Sequence, residues 1–214
     1  MGLGILPFRQ YDENNVINMF AAKSGSEVNQ LDDAITGNAF HGGVFVEVEA
    51  GDLNNDPIVY GADTYLGKTD YPHVGANSYP TVPHKVALAS SNKPVLGLTL
   101  NQVAKFDENG EKLLYYPQKA LENNAVMPGQ AVPVARNGMF TLHESAYDIS
   151  DWASDASVGH SLCVMGDGKV SGKANPSAAE KVKSVGLVIA TGARTEAVQG
   201  SQLSGNYAVC AIDC

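Results

Sequence analysis

From residue 40 onward the apolar positions recur at every second residue over short runs, the period of half-buried β-strands. Gly43 to Glu49 alternates most cleanly, with Val44, Val46 and Val48 on one face and Glu47 and Glu49 on the other. Ile58 to Tyr60 reads as a short strand. Lys85 to Ala89 and Pro94 to Leu100 follow as strands around Ser90-Ser91-Asn92-Lys93. Asp107-Glu108-Asn109-Gly110 is a turn from which Lys112 to Tyr116 returns. Ala131 to Ala135 and Met139 to Leu142 flank Arg136-Asn137-Gly138, which predicts a second Asn-Gly hairpin. Ser161 to Met165 and Lys169 to Ser171 flank Gly166-Asp167-Gly168, and Val185 to Ala190 and Asn206 to Ile212 complete the series. Asn175 to Lys183, with Pro176 near its start, predicts a helix. Many short strands with close-spaced turns predict an all-β fold, a β-barrel or sandwich with long loops.

Two stretches break the alternation. Residues 1–40 hold one apolar cluster, Val16, Ile17, Met19 and Phe20. It fits a short helix capped by Asp12 and fits a strand equally well. Residues 1–40 therefore read as an extended N-terminal arm, and residues 41–214 as the β domain, with 41–126 as an elaborated lobe of it. Residues 61–84 carry Tyr65, Tyr71 and Tyr79 among three glycines and three prolines, with no periodicity, and read as a long ordered loop.

Composition agrees with a strand-and-turn chain. Charged residues are 17% of the 214 and glycine occurs 22 times, against usual shares of about 25% charged and 7% glycine. The net charge of −9 disfavours phosphate backbones, and no basic patch offsets it, so no nucleic-acid partner is expected. No apolar run is long enough for a membrane span. The first residues lack a charged n-region, which predicts synthesis in a cytoplasm without a cleaved signal.

Chemistry-bearing patterns are sparse. No dinucleotide or phosphate loop is present, and no cofactor is expected. Cys163 is a conceivable nucleophile with His143 or His160 as base and Asp148 or Asp151 as orienter. Its place among Leu162, Val164 and Met165 favours a core thiol instead, as does the setting of Cys210. The five histidines are too widely spaced for a metal motif, and Cys210 and Cys214 make at most half a zinc site. Asp52 to Asp56 carries oxygen donors without the spacing of a calcium loop. The sequence is read as non-catalytic, without a metal. Along a strand, Cys210 and Cys214 lie too far apart to join, which leaves Cys214 available for an intersubunit disulfide. The tyrosines of the long loop offer contact area for a protein or sugar at low entropic cost.

Gln130-Ala131-Val132-Pro133-Val134-Ala135-Arg136-Asn137-Gly138-Met139-Phe140-Thr141-Leu142, then Val158-Gly159-His160-Ser161-Leu162-Cys163-Val164, then Val185-Gly186-Leu187-Val188 resembles small β-barrel capsid decoration proteins of tailed bacteriophages. The likeness covers roughly residues 127–212, is a diffuse pattern of strands and glycines, and leaves 41–126 without a counterpart. It implies a cement subunit on the outer surface of the virion, a homotrimer that bridges neighbouring major capsid subunits. The contacts it would use are placed on the arm (Leu6, Phe8, Tyr11, Ile17, Phe20) and the loop (Tyr65, Tyr71, Tyr79). A carbohydrate- or receptor-binding β module of a fibre or adhesin is the alternative. A hydrolase built on Cys163 is the third reading.

Overall fold

The computed structural model describes residues 5–20, 42–49, 85–89, 93–103, 111, 113–122, 125–126, 131–148, 152–166, 168–181, 184–194 and 205–214. The protein is all-β, as the alternation predicts. The strands are β1 (Ile5–Gln10), β2 (Val16–Phe20), β3 (Phe45–Glu49), β4 (Lys85–Leu88), β5 (Val95–Thr99), β6 (Gln102–Val103), β7 (Ala125–Val126), β8 (Ala131–Ala135), β9 (Asn137–His143), β10 (Ser161–Gly166), β11 (Lys169–Lys173), β12 (Ser184–Arg194) and β13 (Gly205–Asp213). Six form an antiparallel sheet in the order β1-β9-β13-β12-β10-β11. Five more form a barrel-like ring, β2-β4-β3-β5-β8, whose join between β2 and β4 is the single parallel pair Phe20↔Lys85. Strands β6 and β7 make a small parallel pair of their own.

Two cores follow from this arrangement. Phe140, Leu142, Leu162, Val188 and Ile212 of the sheet pack against Phe45, Leu98 and Ala135 of the ring. Met19, Val46, Val86, Leu88, Val132 and Val134 fill the ring itself. Ring strands are therefore covered on both sides, which revises the simple inside–outside reading of β3. Phe45 and Glu47, on the face opposite the valines, are buried, and the Glu47 carboxylate pairs with Lys93 at 3.1 Å. Val48 shares the alternation face of Val46 but is 51% exposed, and it stands at the end of the ring, next to the last residue of β3.

The predicted hairpin at Arg136-Asn137-Gly138 does not form. Strand β8 pairs with β2 and β5, whereas β9 pairs with β1 and β13. The chain passes from ring to sheet at Arg136, and Asn137 and Gly138 are the first residues of β9. Gly138 is needed for a close approach rather than a turn. Its φ is +147°, and a Cβ would lie 2.7 Å from both the Gln10 carbonyl and Tyr11 Cβ. The other crossing, between β1 and β2, lies alongside. The Arg136 amide donates to the Asn15 carbonyl at 2.9 Å, and its own carbonyl accepts from the Cys214 amide at 2.9 Å.

Residues 5–20, expected within an extended arm, are built into both layers through β1 and β2; residues 21–40 lie outside the described residues. Both alternatives for Asp12 and the apolar cluster are partly realised. Asp12 Oδ1 accepts from the Asn14 amide at 2.8 Å and caps a 3-10 turn, Glu13–Asn15, after which Val16 to Phe20 extends as strand. Lys112 to Tyr116, expected to be a returning strand, instead holds the 3-10 turn Leu113–Tyr115, followed by a helix at Pro117–Glu122. Pro117 opens that helix, where its missing N–H costs nothing. The helix predicted at 175–183 is the single turn Ala178–Lys181. A capping box closes it, with the Ser177 amide donating to Glu180 Oε2 at 2.7 Å and the Glu180 amide to Ser177 Oγ at 3.3 Å. The hairpin β10–β11 forms as predicted. The expected strand at 58–60, the loop at 61–84 and the turn at 107–110 lie outside the described residues.

Candidate interaction surface

The pairings gather four strand ends at one end of the ring. Phe20, the last residue of β2, pairs with Lys85, the first of β4. Lys85 pairs in turn with Glu49, the last residue of β3, and Phe20 also pairs with Ala131, the first of β8. Residues 50–84 are thus connected to the ring through two directly paired neighbours, Glu49 and Lys85. Exposed Val48 stands at the same rim. Tyr65, Tyr71 and Tyr79 belong to this inserted segment by sequence and lie outside the described residues.

The contact residues expected on the arm separate into two groups. Leu6 is fully buried, so it is engaged inside the protein instead of facing a partner. Ile17 is half-buried and packs on the ring core. Tyr11 stacks on Phe140 with ring centroids 5.7 Å apart and planes 12° apart. Phe8 is the one that stands out, at 49% exposed. Phe20 is placed by its backbone at the rim. Leu6 and Phe8 differ although a regular strand would put them on one face, because the pairing of β1 with β9 is irregular between Ile5 and Arg9.

Between β1 and the ring lies an open cleft of about 330 Å³, with Arg9, Tyr11, Glu13 and Asn18 at its sides and Leu100 and Pro133 among its apolar lining. The Arg9 guanidinium lies 5.9 Å from the Tyr11 ring centroid, a cation–π contact. Tyr11 thus contacts both Arg9, two residues before it, and Phe140, a partner that its sequence position does not reveal.

No family model, curated protein or solved structure matches the chain.

The candidate nucleophile is not brought to His143, one of its two candidate bases; the other, His160, directly precedes β10. Cys163 lies in β10 and His143 in β9, with β12 and β13 between them. Three strand spacings separate them, roughly 14 Å. His143 Nδ1 instead accepts from the Ser145 amide at 3.2 Å and caps the 3-10 turn Glu144–Ala146. That bond places the proton of the neutral ring on Nε2. Glu144 Oε2 accepts from both the backbone and side-chain nitrogens of Asn206, at 3.0 and 2.9 Å. Asp148 is exposed and its amide donates to the Val170 carbonyl; Asp151 lies outside the described residues. Among the described residues no group of three or more His, Cys, Asp or Glu side chains is placed to hold a metal. The stretch Asp52 to Asp56 lies outside them. No helix of the described residues is long and apolar enough to cross a membrane.

Cys163 and Cys210 are buried and Cys214 is half-buried; all three are free thiols. The Tyr147 hydroxyl and Cys210 sulfur are hydrogen-bonded at 3.1 Å in the main core, where Trp152 packs edge-on to Tyr147 at 5.1 Å. Burial holds the Tyr147 hydroxyl far above its usual range, reinforced by Cys210. Burial also pushes the Cys210 thiol up to about 11, with the hydrogen bond from Tyr147 acting the other way. Cys214 is pushed up to about 12, first by burial and then by the neighbouring Asp213 charge, with Arg136 opposing. A thiol so placed is mostly protonated at neutral pH and slow to react, which works against rapid crosslinking through Cys214.

Proposed function

We propose that this chain is a structural virion protein that decorates the outer surface of a tailed-phage capsid and bridges neighbouring major capsid subunits. The observation that carries the reading is the rim of the ring. The tyrosine-bearing segment 50–84 is flanked by two residues that pair with each other, Glu49 and Lys85. Whatever those tyrosines touch, their points of attachment are fixed by a ladder. The net charge of −9 suits a protein facing away from packaged nucleic acid. The resemblance across residues 127–212 points the same way. Partner contact falls, on this reading, to Tyr65, Tyr71, Tyr79, Phe8 and the exposed Val48.

The test is co-sedimentation of the chain with virus particles from its source lysate through a density gradient, followed by rebinding of purified protein to stripped particles. Many copies per particle are expected, with rebinding weakened when Tyr65, Tyr71 and Tyr79 are changed together to Ser. Recovery only among soluble proteins would refute the proposal.

The cleft beside β1 favours a second reading, a module that binds saccharide, because it sets Arg9, Glu13 and Asn18 around an apolar lining. A saccharide-dependent rise in melting temperature that Asn18→Ala removes would support it. Absence of any shift across a glycan panel would dismiss it.

A further inference from the structure

Among the described residues, three places in the six-stranded sheet leave a strand without a neighbour, and they are not alike. The outer side of β1 contains Pro7, which has no N–H, an irregular register between Ile5 and Arg9, and the charge of Arg9. The outer side of β11 begins and ends in lysine, and Tyr147 bridges Val170 there while the Asp148 amide donates to the Val170 carbonyl at 2.9 Å. Proline, bulges, lysines and covering loops are the devices that prevent strands from adding to an edge.

The third place has no proline, no lysine and, among the described residues, no covering loop, and its one irregularity, at Ile189, lies where the unpaired stretch begins. Strand β12 runs for 11 residues, but β10 pairs only with Ser184 to Leu187. Val188 is next tied to the 159–160 loop, donating to the His160 carbonyl at 3.0 Å and accepting from the Gly159 amide at 2.8 Å. Beyond it, no described residue lies hydrogen-bonded to 189–194 on the side away from β13. This overhang, Ile-Ala-Thr-Gly-Ala-Arg, holds no proline and one charge, Arg194, whose guanidinium sits 5.8 Å from the Tyr207 ring. Ile189 is an extra residue in the register with β13. Since Val188 turns its main-chain groups outward, the extra residue shifts the phase and turns those of Thr191 and Ala193 outward as well. Beside the overhang three large apolar side chains face solvent, Val158 at 61%, Leu187 at 45% and Ile189 at 40%.

We propose that β12 pairs antiparallel with β12 of a second copy of this chain, centred on Gly192, so that two six-stranded sheets join into one. The segment is its own complement. Centring on Gly192 sets Thr191 opposite Ala193 of the second copy and satisfies the outward main-chain groups of both. It keeps the two Arg194 residues four residue steps apart, roughly 14 Å along the strands, beyond the ~10 Å screening length at moderate salt. No like charges meet, and Val158, Leu187 and Ile189 gain cover near the junction. The contact is a two-fold one, so it produces a dimer and differs from the trimer that the resemblance implies. It does not depend on the capsid reading, since it would form with no partner present.

The experiment is sedimentation velocity of the full chain under reducing conditions over a micromolar concentration series. It compares the wild type with Ala193→Pro, which removes an outward N–H, and Ile189→Lys, which charges the edge without touching the backbone. A wild-type dimer is expected, with association weakened at least about tenfold in both variants and an unchanged circular dichroism spectrum. If Ala193→Pro does not fold, Ile189→Lys decides alone. A monomeric wild type, a trimer, or a dimer that Ile189→Lys leaves intact overturns the proposal.

Discussion

Gly168 is the residue through which the sheet is locked to the ring, and substituting it tests that geometry quantitatively. Its amide donates to the Ala89 carbonyl at 3.1 Å, its carbonyl accepts from the Phe45 amide at 3.0 Å, and the Ala89 amide donates to the Phe45 carbonyl at 3.0 Å. Gly168 therefore stitches the β10–β11 turn into β3 and the end of β4. Its φ is +67°, and a Cβ there would collide with Val44 Cγ1 and lie 2.7 Å from the Phe45 carbonyl oxygen. A left-handed conformation costs a non-glycine residue about 1–2 kcal/mol, and overpacking a filled core adds about 1–3 kcal/mol. Gly168→Ala is expected to cost roughly 2–5 kcal/mol, a large part of a total stability of about 5–15 kcal/mol. Gly159 supplies the control. Its φ is +84° but nothing lies within 4 Å of an added Cβ, so Gly159→Ala carries the conformational cost alone, about 1–2 kcal/mol. The assay is equilibrium unfolding in urea, comparing midpoints at equal m-values. Equal losses for the two variants, to within about 0.5 kcal/mol, would refute the close approach of turn to ring.

Three further outcomes are expected. Tyr147→Phe removes the hydroxyl bonded to Cys210 and should lower stability by about 0.5–1.5 kcal/mol, measured by urea unfolding; no loss would mean the pair does not form. Raising the pH should destabilise the protein from about 9 upward, because the unfolded chain releases the Cys210 proton near 9 while the folded chain holds it to about 11. Across that window the unfolded state binds fewer protons, so unfolding free energy falls by up to about 1.4 kcal/mol per pH unit for this thiol. The loss is absent at lower pH and should be reduced by this amount in Cys210→Ala, leaving the share from Cys214, by unfolding curves at stepped pH under reducing conditions. Cys214, pushed up to about 12, should react slowly with a disulfide reagent in the native state, about tenfold faster for each added pH unit and fast once unfolded; rapid reaction at neutral pH would show that the chain end opens.

What the sequence made legible was period, and what it hid was partnership. Alternation located β3, β4, β5, β8, β10 and β13 close to their observed bounds, because strand burial writes itself into every second residue. It located the first part of β12, which runs four residues past its expected end at Ala190. Which strand pairs with which depends on contacts distant in sequence, and local signals mislead there. Asn137-Gly138 has the composition of a hairpin turn, yet the glycine is required by the approach of Gln10 and Tyr11, more than a hundred positions earlier. Val16 to Phe20 was ambiguous alone because its strand character comes from β8, whose register with it is regular over five pairs. Glu47 looked solvent-facing because alternation cannot tell a sheet covered on one side from a ring covered on both. Of the expected contact residues, Leu6 and Tyr11 carry large side chains that suit a partner surface and a core equally, and both are engaged within the protein. The rim and the cleft left no local signature, since each is assembled from three or more separate strands.

The two junctions between sheet and ring make the rim a usable platform. At one, Arg136 lies where both crossings meet, and its guanidinium donates to the Cys214 carbonyl at 3.1 Å. At the other, Gly168 joins the hairpin turn to the ends of β3 and β4. They bind different strands, β2, β8 and β13 at the first and β3, β4 and β11 at the second. Four of the five ring strands are therefore tied to the larger sheet by main-chain bonds near their ends, on top of the shared core. A five-stranded ring joined at one residue pair would by itself open readily at that seam. Anchored in this way, β2 and β4 are held on both sides of the seam, and the distance between Glu49 and Lys85 stays fixed. A partner that bound at this rim would meet a preformed support, with no conformational entropy to be lost from the strands themselves.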